Sequence, residues 1–156
     1  MEQKTKVHAE EGKQDVAITR DFELPVELLF KAYADADLIS QWMGTKVLKL
    51  DSKKNGSYQF ETADPQGNPV FKANGVIHEF IPDRKITRTF EMANVPFGVQ
   101  LEFYEFEPLT GDTSRLRMHV VYESVEQRDQ AMKFGLAWGL NMALDRLQDV
   151  VSKSKK

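Results

Sequence analysis

The stretch ITRDFELPVELLFKAYADADLISQWMG, residues 18–44, carries three periodicities in succession, and their order restricts the fold. From Val16 to Phe22, Val16, Ile18, Arg20 and Phe22 fall on one side and Ala17, Thr19 and Asp21 on the other. This is the period-two alternation of a strand, with one charged member on its apolar face. Pro25 suits the first turn of a helix, where its missing N–H has no partner to lose. Val26, Leu29, Phe30 and Tyr33 follow at i, i+3, i+4 and i+7, so a short amphipathic helix covers about 25–34. Asp35 can cap a second short helix that shows Leu38 and Trp42 on one side and stops at Gly44.

Downstream, alternating segments at 46–51, 56–63, 69–81, 85–93, 97–107 and 113–123 are separated by KKNG, DPQGN, PDR, an NVP stretch and LTGD, all turn chemistry. Connections this short imply an antiparallel meander, and with the first strand the sheet has seven members. From about Val125 to Val151 the period changes to 3.6, which predicts one helix of roughly 40 Å. Met132, Leu136, Leu140, Ala143, Leu144, Leu147 and Val151 form its continuous apolar stripe. The expectation is α+β: a curved seven-stranded antiparallel sheet wrapped around a long C-terminal helix, with two short helices after the first strand. Residues 1–14 and 153–156 read as flexible tails around a single domain at 15–152.

The bulk chemistry narrows the function. The chain has 156 residues, 41% hydrophobic and 29% charged, which is the mixture of one folded domain. A formal net charge of -3 supplies no basic field for a phosphate backbone, so nucleic acid is not an expected partner. No apolar run approaches the roughly 20 residues of a membrane span, and the charged start MEQKTKVHAEEGKQD does not read as a secretory signal. A cytoplasmic location follows as the expectation. Cysteine is absent, and His8, His78 and His119 stand at no ligand spacing, so no metal is expected. Nucleophile elbow, phosphate loop and dinucleotide fingerprint are all missing, so no catalytic constellation and no cofactor are expected.

Three segments together resemble a known family: the entry ITRDFELPVELLFKAYADADLISQWMG, the mid-chain GVIHEFIPDRKITRTF (75–90) and the closing GLNMALDRLQDVV (139–151). They resemble the activator of heat-shock-protein-90 ATPase homologue family, a branch of the START-like, birch-pollen-allergen-like (SRPBCC) superfamily, over about residues 15–152. The resemblance implies a helix-grip fold, a cavity between sheet and long helix, and no invariant catalytic set. Its members include lipid and hormone carriers, polyketide cyclases, ligand-sequestering proteins and a co-chaperone domain, so fold alone does not choose the function.

Individual residues then sort by chemistry. Trp42, Tyr58, Phe60, Phe71, Phe90, Met92, Phe103 and Met118 can reach the concave side of the sheet or its lid, and Met132, Leu136 and Leu140 face them from the helix. These are the candidate lining of a ligand cavity. Arg20, and Arg88 between Ile86 and Phe90, are charges on apolar strand faces. Each needs a carboxylate, a rim position or a bound anion, and one of them could anchor a ligand carboxylate. His78 shares parity with Val76 and Phe80 but also with Asn74 and Lys72, which leaves its side open and keeps it as a third polar anchor. His119 goes outward with Arg115 and Arg117. Phe134, Trp138 and Met142 recur at i, i+4 and i+8 opposite the leucine stripe. Either the short helices or an N-terminal segment cover them, or they form a homodimer interface. The leading expectation is a small apolar ligand held between sheet and helix. The alternatives are a cyclase- or lyase-type enzyme using His78 or an Arg–carboxylate pair, and an interaction module that contacts the heat-shock ATPase.

Overall fold

In the computed structural model, residues 5–93, 95 and 98–153 are described. The segments expected at 1–4 and 154–156, part of the NVP turn, and Phe97 at the start of one expected strand lie outside the described residues. The chain begins with β1 (Thr5–His8) and β2 (Asp15–Phe22), followed by α1 (Val26–Ala34) and α2 (Ala36–Met43). A meander follows: β3 (Lys46–Leu50), β4 (Ser57–Ala63), β5 (Pro69–Ile81), β6 (Lys85–Met92), β7 (Val99–Pro108) and β8 (Ser114–Val121). Two helices close it, α3 (Val125–Lys133) and α4 (Leu136–Lys153).

The strands form one antiparallel sheet in the order β1-β2-β8-β7-β6-β5-β4-β3. β2 returns to pair with β8, setting Val16 opposite Val120, Ile18 opposite Met118 and Arg20 opposite Leu116. Directly opposed residues share a face, and these six are all buried, so they define the concave side. Among the described residues no helix is long and apolar enough to cross a membrane.

The α1–α2 corner is specified locally. Pro25 precedes α1 without a side-chain cap, and α1 buries Val26, Leu29, Phe30, Ala32 and Tyr33. The Asp35 carboxylate accepts from the amides of Asp37 and Leu38 at 2.9 and 3.1 Å, and Gly44 ends α2 in the left-handed region at φ 63°. Phe30 meets Phe80 and Phe106 edge-on with ring centres 5.2 and 5.0 Å apart, which docks α1 on the sheet. The Trp42 indole donates to the Ala32 carbonyl at 2.7 Å and ties α2 back to α1.

Two expectations are corrected here. The sheet has eight strands, because Thr5–His8, inside the expected tail, pairs with β2 in the register Thr5↔Arg20 and Val7↔Ile18. The single long helix is two helices: Phe134 leaves helical geometry, Gly135 stands at φ +89°, and α4 starts at Leu136. Only Gly takes such a φ readily. The apolar stripe also divides by burial, with Leu144, Leu147 and Val151 fully buried while Met132, Leu136, Leu140 and Ala143 are half-buried.

Candidate functional site

That split stripe makes the site. The C-terminal half of α4 packs into the core, whereas its N-terminal half stands off the concave face and leaves a cavity of about 610 Å³ beneath it. Leu136, Leu140 and Ala143 form its roof, and Trp42 and Met43 from α2 form one wall. The sheet supplies Phe71, Phe90, Met92 and Met118. Phe134, 70% exposed, also lines it and marks where it reaches the surface.

Polar groups converge on one part of this apolar space. Arg88 is directly opposite Glu102 across the β6–β7 pair, and both line the cavity. The Arg88 Nε donates to Glu102 Oε1 at 2.8 Å, and its Nη2 donates to the Tyr104 hydroxyl at 2.9 Å. The guanidinium lies over the rings of Tyr58 and Tyr104, each 4.9 Å from its centre. Tyr104 donates its own hydroxyl to Glu102 Oε1 at 2.8 Å, and Gln100 donates Nε2 to Oε2 at 2.7 Å. Glu102 therefore accepts from three groups, and the buried ion pair is supported on both sides, the condition under which such a pair survives. Burial opposes the charge on Arg88, but its surroundings, with the Glu102 carboxylate as their charged member at neutral pH, hold its pKa above the usual arginine value. Burial also pushes the Tyr33, Tyr104 and Tyr122 hydroxyls up, so each remains a protonated phenol. Tyr122, 2% exposed and part of the cavity wall, has no hydrogen-bond partner for its hydroxyl among the described residues.

The sequence candidates divide accordingly. Trp42, Phe71, Phe90, Met92, Met118, Leu136, Leu140 and Arg88 come together around the cavity, joined by Phe134 from the exposed stripe. Tyr58 and Phe60 are buried in the core with ring centres 5.1 Å apart, behind the lining, and Met132 packs on the core without reaching the cavity. Phe103 is on the outer face, opposite His119 and stacked on its ring at 5.8 Å, because the even-numbered residues of β7 face inward. His78 is exposed: a register shift between Ile77 and Glu79 leaves it outside, while Ile77 faces inward with Arg88. Arg20 is 2% exposed but not at the cavity. Its Nη1 bonds Asp145 on α4 at 2.7 Å and Thr5 on β1 at 3.0 Å, so it fastens three elements instead of anchoring a ligand. Trp138 and Met142 remain 72% and 45% exposed.

Sequence reasoning missed Glu102, Gln100, Tyr104 and Tyr122. A signal for the first was available, since a charge at Arg88 on an apolar face demands a carboxylate and the next strand offers one.

No curated protein matches the chain. Solved structures do: protein Ms6760 from Mycobacterium smegmatis is 19% identical with TM-score 0.82, covering 93% of this chain and 94% of that one. A protein from Rhodobacter sphaeroides is 18% identical with TM-score 0.84, covering 96% and 99%. One from Arthrobacter aurescens is 16% identical with TM-score 0.85, covering 95% and 91%. At these identities the likeness establishes the fold. The model of one family, the Activator of Hsp90 ATPase homolog 1-like proteins, matches residues 23–152, from the turn between β2 and α1 to the last turn of α4, and the chain belongs to that family.

Proposed function

We propose that this protein binds a small apolar or aromatic molecule in the cavity between the sheet and α4. The observation that carries this reading is a space of about 610 Å³ walled by Phe, Met, Leu and Trp side chains, with a few convergent polar groups at one place. Ligand pockets have that size and that division of labour. The test is native mass spectrometry of the purified protein with a thermal-shift screen of fatty acids, sterols and aromatic polyketides. A ligand at 100 times its dissociation constant stabilises by about 2.7 kcal/mol, which in a domain of this size raises the melting temperature by about 5–10 °C. No retained ligand and no shift across the panel overturns the reading.

A second reading, an acid–base enzyme of cyclase or lyase type, draws on the Arg88–Glu102 pair, the charged groups that meet in the cavity. It stands second because both Glu102 oxygens already accept hydrogen bonds, which blunts a base. The exposed position of His78 removes the other acid–base candidate. Recovery of a bound ligand chemically unchanged after long incubation separates binding from turnover.

A further inference from the structure

The charge state of the ligand follows from the cavity's polar groups. Arg88 and Glu102 are the only charged side chains among the described residues that line it, and they oppose each other in register, so its walls carry no net charge. The Arg88 cation is committed to Glu102, to the Tyr104 hydroxyl and to two tyrosine rings. An incoming carboxylate would meet a guanidinium that is already neutralised, together with the like charge of Glu102, and would leave water for it. An ammonium would meet Arg88 in the same way. An uncharged head group meets neither penalty.

The hydrogen-bonding groups left over are neutral. A carboxylate only accepts, so Gln100 turns its amide nitrogen to Glu102 and its amide oxygen away, where it can accept from a ligand. Tyr122 is a residue of the wall whose buried hydroxyl has no partner among the described residues, so a ligand oxygen that reaches it gains a donor. A ligand hydroxyl matches both groups, and a carbonyl matches the second.

Building on the ligand-binding reading above, we propose that the cavity selects uncharged ligands, an aromatic or apolar body with one hydroxyl or carbonyl at its polar end, and discriminates against the corresponding acids and amines. The test is a matched series titrated calorimetrically into the full chain at pH 7: 4-phenylphenol, biphenyl, biphenyl-4-carboxylate and 4-(aminomethyl)biphenyl. The phenol is expected to bind at least tenfold more tightly than the carboxylate and the ammonium compound, and more tightly than biphenyl. Gln100→Leu and Tyr122→Phe should each shrink the advantage of the phenol over biphenyl. Glu102→Gln, which leaves Arg88 uncompensated, should move the preference toward the carboxylate. Should that variant not fold, the wild-type series decides alone. Equal or tighter binding of the carboxylate or ammonium compound to the wild type refutes the neutral-head selection and leaves the cavity reading intact. Binding by none of the four overturns the selection, and a negative result in the wider thermal-shift panel as well overturns the cavity reading beneath it.

Discussion

Replacing Glu102 with leucine should destabilise the protein as strongly as truncating a buried aromatic residue in the walls of the cavity. Glu102 is 5% exposed and Arg88 8%, so bulk water solvates neither charge fully and each depends on the other. In Glu102→Leu the guanidinium keeps one polar partner, the Tyr104 hydroxyl at 2.9 Å, and Gln100 loses its acceptor. Breaking a buried pair from one side costs about 3–5 kcal/mol, a large part of the 5–15 kcal/mol typical of a domain. Arg88→Met should cost less, about 1–3 kcal/mol, because the carboxylate retains Gln100 and Tyr104 as donors and can take up a proton, an escape closed to arginine. The double variant Arg88→Met/Glu102→Leu places apolar groups of similar length on both sides and should lie within about 1–2 kcal/mol of the wild type. Equilibrium urea unfolding followed by tryptophan fluorescence and far-ultraviolet circular dichroism, with unchanged denaturant dependence, measures all three. If Glu102→Leu costs under about 1 kcal/mol, or the double variant loses the sum of the singles, the pair is not the buried, mutually dependent unit described.

Asp35→Ala removes the acceptor for two amides at the start of α2 and should cost about 1 kcal/mol by the same unfolding measurement. Gly75→Ala should be worse than a typical strand substitution: a Cβ there would fall 2.0 Å from the Thr89 carbonyl oxygen and 2.5 Å from the Tyr58 hydroxyl. A loss of about 1–3 kcal/mol, or failure to fold, is expected, and an unchanged melting temperature would contradict the close approach. The Asp21 carboxyl, held by Arg115 at 2.6 and 3.1 Å, lies below its ordinary 3.8 because of those hydrogen bonds. A depressed folded pKa means that its contribution is present above about pH 3.8 and lost as pH falls through the folded value. Half-exposure limits that contribution to under about 1 kcal/mol, and carboxyl NMR titration should show Arg115→Met returning Asp21 to the ordinary range.

The corner from Pro25 to Gly44 was legible because each of its signals is local: a proline start, an Asp cap and a glycine stop act within one or two turns. The period-two pattern of β2 was equally clear, and its charged member Arg20 did find a carboxylate, Asp145. What stayed hidden depends on distant partners. β1 is four residues long, and its alternation of Thr5 and Val7 with Lys6 and His8 gains meaning only beside β2. β7 misleads, since Val99, Leu101 and Phe103 look like the inward face, yet Gln100 and Glu102 take it because Arg88 waits opposite. The helix break escaped notice because apolar residues keep their spacing through Phe134 and Gly135, and periodicity does not register a single left-handed residue.

The division of α4 has a kinetic consequence. Leu144, Leu147 and Val151 hold its far end at full burial, while the turns over the cavity contribute only half-buried side chains and follow directly on Gly135. The free energy needed to fray those first turns is a fraction of that needed to unfold the domain. A molecule inside can leave by local opening, so its residence time is decoupled from the lifetime of the fold. Amide hydrogen exchange should run measurably faster over 139–143 than over 147–151, and a bound ligand should slow the first segment much more than the second.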